Sequence, residues 1–139
     1  ALDYSISFID NNKIDKINIL NASQLAMRTA IKNLNIKPEF LLIDGNYFQP
    51  CYDENNKLIP YECFIQGDNK FKSISCASIL AKVYHDFYIE DLIKNNKELE
   101  KYDWLNNMCY GTPNHINAIK KYGITKHHRK SFNICKQSK

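Results

Sequence analysis

The run Glu39 to Ile43 (EFLLI), stopped by Asp44-Gly45, constrains the fold more than any other stretch. A short continuous apolar run with a turn signal at its end suits a strand covered on both faces. A second, more irregular strand is expected near Tyr61 to Ile65, with the polar stretch Pro50 to Pro60 between them as a loop or hairpin. Tyr4 to Ile9 (YSISFI) alternates like a further strand and closes on the turn formers Asp10-Asn11-Asn12.

Helical spacing fills most of the remainder. Ile17, Leu20, Met27, Ile31 and Leu34 fall on one face, and Pro38 closes that segment. After Gly67-Asp68, a long pattern carries Ile74, Ala77, Ala81, Tyr84 and Tyr88, and the charged stretch Asp91 to Tyr102 continues it. The last helix is framed by Thr112 as its cap, Pro113 at the first position and Gly123 as its stop. Ile116, Ile119 and Tyr122 form its apolar side. The expected class is a mixed α/β domain with few strands for its helices.

Length and composition bound the function. At 139 residues the chain matches one domain, and 44% hydrophobic with 24% charged residues excludes a disordered or low-complexity chain. No apolar run approaches the roughly 18 residues of a membrane span. The start, Ala1-Leu2-Asp3-Tyr4, lacks both an initiator Met and the basic-then-apolar pattern of a secretory leader. Of 19 basic residues only Arg28 and Arg129 are arginine, and Lys, Asn and Ile are abundant, a bias of A/T-rich codons. The net charge of +4 permits a polyanionic partner without demanding one. Five well-separated cysteines, with no CxxC, read as free, mostly buried thiols in a reducing, cytoplasmic setting.

Two carboxylates stand at chemically useful places. Asp44 ends the apolar strand, where ligand sites of α/β sheets lie, although Asp-Gly is also a simple turn. Asp68 opens a helix, where it is either a cap or dipole partner or a ligand. Together they could hold a hard divalent cation through oxygen, but two-metal phosphodiester chemistry takes three or four carboxylates. His115, in the first turn of the last helix, is either a proton shuttle or phosphate contact or an exposed polar residue. The tail Lys126, His127, His128, Arg129 and Lys130, with Phe132 and then Lys136 and Lys139, suits a nucleic-acid backbone.

Ordered motifs along the whole chain resemble one family. Ile14-Asp15 with Asn18-Ile19 is similar to an IDxxNI element, and Ala26-Met27-Arg28 to an AMxxA helix. Leu42 to Asn46 resembles a strand ending in DGN, and Gly67-Asp68 stands in the place of a GD pair. Ser75 to Val83 resembles SAASILAKV, Tyr110-Gly111-Thr112 with His115 resembles GYGTxxH, and His128 to Phe132 resembles HRRSF. These are motifs of ribonuclease HII, the bacterial type 2 ribonuclease H.

The resemblance implies a ribonuclease H-like fold and hydrolysis of the RNA strand of RNA–DNA hybrids. It also implies cutting at ribonucleotides embedded in DNA, leaving 5′-phosphate and 3′-hydroxyl ends. Family catalysis uses four carboxylates with Mn²⁺ or Mg²⁺, of which Asp44 and Asp68 would be the third and fourth. By position, Asn18, Asn46, Ser78, Lys82, His115 and Arg129 would face the substrate, and Tyr110 would stack at the RNA–DNA junction. The partner would be a hybrid or ribonucleotide-containing DNA, with no membrane, bound by a monomer when complete.

The departures shape the expectation. The DEAGRG segment that supplies the first two carboxylates, the following hairpin strands and the DSK segment have no counterpart here. Cys76 replaces Ala, His85 replaces Arg, and Cys109 replaces the Gly before Tyr110, where a backbone need is met poorly by a side chain. The expected architecture is thus a single partial domain over residues 1–139, its first sheet strands absent and residues 100–139 a helical substrate-binding region. The isolated chain would be weak or inactive. The competing readings are a non-catalytic nucleic-acid-binding remnant and a truncated gene product.

Overall fold

The computed structural model describes residues 1–137, so Lys139 of the basic tail lies outside the described residues. The chain divides into two compact units, residues 1–9 with 19–82 and residues 10–18 with 83–139.

The first unit is built on two parallel strands. The apolar run becomes β1 (Leu41–Asp44) and the irregular stretch becomes β2 (Tyr61–Phe64). They run parallel, with Leu41 opposite Tyr61 and Asp44 opposite Phe64, so both strands end together. The loop between them doubles back through a single antiparallel bridge, Tyr52 to Leu58. Leu41, Ile43, Phe48, Cys51 and Ile59 form the buried cluster, against which Met27 and Ile31 of helix α1 (Asn11–Asn33) pack. Burying side chains of this size stabilises by roughly 1.5–3 kcal/mol each.

Several expectations are corrected here. β1 buries only one face: Leu41 and Ile43 are buried, while Leu42 is 37% exposed on the other. An apolar run records what a side chain tolerates, and alternation along the strand still assigns it to one side or the other. Residues 4–9 form no strand, because ladder pairing among the described residues is confined to β1 with β2 and the single bridge. Helix α1 is interrupted at Asn18, whose φ of 65° and ψ of 167° lie outside helical space. It ends at Asn33, five residues before Pro38.

After α2 (Gly67–Lys70), helix α3 runs from Lys72 to Asn95. The expected apolar face is only partly covered: Ile74 is buried, but Ala77, Ala81 and Tyr88 are exposed, and burial resumes at Ile89 and Ile93. The helix does not continue to Tyr102. It stops at Asn95, and residues Lys97–Tyr102 form a tighter 3-10 turn. The cysteines are free, but only Cys51 and Cys135 are buried. Cys76 lies on the exposed side of α3.

The second unit has a tight aromatic centre. Leu99 and Tyr102 are fully buried, and Trp104 of α4 (Trp104–Asn107) nearly so. Ile89 and Ile93 of α3 and Ala118 and Ile119 of α5 (Pro113–Tyr122) complete the cluster, with Cys135 of α6 (Asn133–Lys136). Helix α5 is framed as expected: the Thr112 side chain accepts from the His115 amide, Pro113 is at N1, and Gly123 follows at φ 75°.

Candidate functional site

In the first unit the carboxyl ends of β1 and β2 carry both acids. Gly45 follows Asp44 at φ 118°, a conformation that suits glycine, and donates its amide to the Phe64 carbonyl at 2.9 Å. Beyond Phe64 the chain turns at Gln66, which is left-handed at φ 55°, and enters α2. This brings the Gly67 amide to the Asp44 carboxylate, donating to Oδ1 at 2.9 Å. Asp68 is the next residue, in the first turn of α2 and inside it rather than at its cap. Both carboxylates are exposed. The Asp68 Oδ1 takes only its neighbour's amide, Asn69, at 3.0 Å.

Gly67 is where packing sets this geometry. A Cβ there would lie 2.7 Å from Ile74 Cδ1, 3.3 Å from Phe64 Cβ and 3.5 Å from Asp44 Oδ1. Gly67→Ala is therefore expected to cost about 1–3 kcal/mol by overpacking and to displace the amide that holds Asp44. A urea melt checks the first effect, and an unchanged midpoint would contradict it.

The pair fits a metal only in part. Two aspartates are oxygen donors of the kind a hard dication takes. Among the described residues, no group of three or more His, Cys, Asp or Glu could hold a metal ion. Asn46 lies just beyond Gly45, exposed. Ser78 and Lys82 stand four residues apart on α3, hence on one face, and both are exposed.

The remaining predicted residues, Asn18, Tyr110, His115 and Arg129, belong to the second unit. Tyr110 is 65% exposed at the end of a turn in which Met108 and Cys109 are both left-handed, at φ 46° and 66°. The glycine-like demand at Cys109 is thus real. Burial pushes its thiol up to about 12, so it stays unreactive. Asn107, buried beneath the turn, donates to the Tyr102 carbonyl at 2.9 Å and accepts from the Cys109 amide at 3.0 Å.

His115 departs from both of its sequence readings. It is buried, and both ring nitrogens are engaged. Trp104 Nε1 donates to its Nε2 at 3.0 Å, which leaves the proton on Nδ1 to donate to the Tyr110 carbonyl at 2.9 Å. Its ring thus links Trp104 to the Tyr110 carbonyl.

His128, read as part of the basic patch, is also buried. Its Nδ1 accepts from the Thr125 amide at 3.0 Å, and its Nε2 lies 3.4 Å from His115 Nε2. Burial, then the neighbouring His115 and His127, press its pKa from 6.5 to about 4. The unfolded chain therefore binds the extra proton first. Above pH 6.5 the folded state bears no penalty from His128, and between 6.5 and about 4 it loses up to about 3 kcal/mol. Unfolding free energy measured against pH should be flat above 6.5 with respect to this group and fall across that window. An imidazole signal of His128 titrating at its ordinary value would refute this.

Arg129 is exposed, its guanidinium 5.1 Å from the centre of the Phe132 ring. The turn that carries it is tied down by Asp15, more than a hundred positions away along the chain. The Asp15 carboxylate accepts from the Lys130 amide at 2.9 Å, the Ser131 amide at 2.8 Å and Ser131 Oγ at 2.6 Å. Partial burial pushes its carboxyl up, but the Ser131 and Lys130 hydrogen bonds together outweigh it and hold it below the ordinary value. Asp15→Ala should cost about 2 kcal/mol and speed amide exchange at Lys130 and Ser131. Unchanged exchange would show the tie to be idle.

A family model described as Ribonuclease HII matches residues 1–135. Ribonuclease HII of Christiangramia forsetii is 47% identical over 134 residues, 96% of this chain and 64% of that protein. That of Parabacteroides distasonis is 46% identical, over 96% of this chain and 63% of the relative. That of Pelagibacter ubique is 49% identical over 129 residues, 93% of this chain and 65% of the relative. The chain thus spans a little under two thirds of the relatives it matches. The fold is similar to that of the ribonuclease H2 from Pyrococcus horikoshii OT3, at a TM-score of 0.67 and 20% identity, over 93% of this chain and 64% of that one.

Proposed function

Because the chain belongs to the ribonuclease HII family, we propose that it carries part of the active site of a metal-dependent endonuclease that hydrolyses the RNA strand of RNA–DNA hybrids and cuts at ribonucleotides embedded in DNA. The observation that supports this most directly is Asp44 at the end of β1, accepting from the amide of Gly67, the residue that precedes Asp68 in α2. These two would hold Mn²⁺ or Mg²⁺, which supplies water activation and stabilisation of the leaving oxygen.

The chain's other residues bind and orient. Lys82 and Arg129 attract the phosphate backbone. Asn18, Asn46 and Ser78 supply short polar contacts. Tyr110 presents a ring for stacking, held by His115 from below. Residues 100–139 form the substrate-binding region in this reading.

Two carboxylates are fewer than two-metal chemistry needs, so the 139 residues alone are expected to cleave weakly or not at all. The experiment joins this chain to the third of the Christiangramia forsetii relative that it does not match, and assays a labelled hybrid with Mn²⁺. Cleavage 5′ of ribonucleotides by the chimera, and none by the chain alone, supports the proposal. Hybrid binding that is salt-sensitive and indifferent to metal, with an inactive chimera, supports a non-catalytic binder instead. Robust metal-dependent cleavage by the 139 residues alone would overturn the assignment of a partial site.

A further inference from the structure

The first unit contains a cleft of about 720 Å³ between the second half of α1 and the loop that joins the two strands. This is within the usual size of small-molecule sites. None of the residues that line it has been assigned to hydrolysis.

Its walls differ in character. Leu25, Pro38, Pro50 and Ile59 supply apolar surface, and Tyr52, which is 53% exposed, adds an aromatic ring. The helix that brings Leu25 also carries Arg28 and Lys32, four residues apart and so on one face of α1. Both cations line the cleft together with the buried Cys51.

These two cations differ from the other charged residues of the cleft. Lys37 is engaged: its Nζ donates to the carbonyls of Leu34 at 2.7 Å and Lys32 at 2.9 Å and stands 3.7 Å from the Glu54 carboxylate. Asp53 is engaged within its own turn, accepting from the amides of Asn55 at 2.9 Å and Lys57 at 2.8 Å. The Arg28 and Lys32 side chains make no hydrogen bond or ion pair among the described residues. Two unpaired cations one helical turn apart, in a cleft that also offers apolar and aromatic surface, present an anion site beside a ring site.

We propose that this cleft binds a phosphomonoester carried on a ring-bearing body, of nucleoside monophosphate size, with the phosphate on Arg28 and Lys32 and the ring against Tyr52. The same chemistry occurs in a free nucleotide and at the phosphorylated end of an oligonucleotide, and the test separates them.

Adenosine monophosphate is titrated into the 139-residue chain and followed by calorimetry and by amide chemical shifts. Saturable binding is expected, with shifts confined to α1 and the 50–60 loop. Adenosine and inorganic phosphate, each holding half of the ligand, should bind at least about ten-fold more weakly. Arg28→Gln and Lys32→Gln should each weaken binding about ten-fold, the worth of one charge-assisted hydrogen bond, with an unchanged thermal melt. A 5′-phosphorylated oligonucleotide that binds no tighter than the mononucleotide supports a site for the terminal group. Affinity that grows with oligonucleotide length, no saturation by the mononucleotide at millimolar concentration, or binding untouched in the Arg28→Gln/Lys32→Gln double variant would each overturn the proposal.

Discussion

Asp44→Asn, placed in the chimera described above, is expected to lower hybrid cleavage by about a thousand-fold, the scale of several kcal/mol of lost charge stabilisation. The substitution isolates charge from structure. An amide oxygen at the same place still accepts from the Gly67 amide, now 2.9 Å away, so the junction of β1 and α2 stays joined. What disappears is a negative charge on an exposed side chain at the end of the strand pair. The thermal melt should move little, while the Mn²⁺ concentration needed for half activity should rise. Asp68→Asn should behave in the same way, since its Oδ1 contact to the Asn69 amide can also be kept. A variant within about ten-fold of the parent would remove Asp44 from the chemistry.

Trp104→Ala should give the largest loss of stability, about 3–5 kcal/mol, a large part of a domain's usual 5–15 kcal/mol. Trp104 is 2% exposed and packs against both Tyr102 and His128, with ring centres 5.6 and 5.0 Å away. Its removal leaves a cavity between groups that are themselves buried. It also removes the N–H that fixes the His115 tautomer. Without that donor, the His115 Nδ1 proton is no longer committed to the Tyr110 carbonyl, so the turn carrying Tyr110 should loosen as well. Trp104→Phe separates the two effects. The ring bulk largely remains, and the lost hydrogen bond alone costs about 1–2 kcal/mol. Urea melts followed by circular dichroism measure both. A Trp104→Ala midpoint close to that of the parent would mean that this cluster is not the centre of the second unit.

How much was legible from the chain alone depends on the range of the interaction. The helix Pro113–Tyr122 was readable at both ends because its cap, first residue and stop act within four residues of the bonds they complete. Likewise, the run Leu41–Asp44 placed Asp44 at a strand end, and the break at Gly67 placed Asp68 at a helix start, before any fold was known. The Cys109 departure pointed to a backbone requirement, and the left-handed φ of 66° is that requirement. The segment 4–9 misled because alternation reports a preference for pleated backbone, whereas a strand exists only where a neighbour completes its ladder.

The sequence by itself determined the helix boundaries governed by capping, the places of the two short strands and the ordered motifs that place the chain in its family. Tertiary structure alone decided which polar groups are buried and with whom. His115 and His128 look like surface histidines until α5 and the Thr125 turn enclose them around Trp104. Asp15 meets Ser131 across 116 positions of chain. Arg28 and Lys32 come to share a cleft with Tyr52 only when the 50–60 loop closes beside them. Desolvation and hydrogen-bond partnership are set by which distant segments share a surface, and a linear pattern of residue types carries no direct record of that.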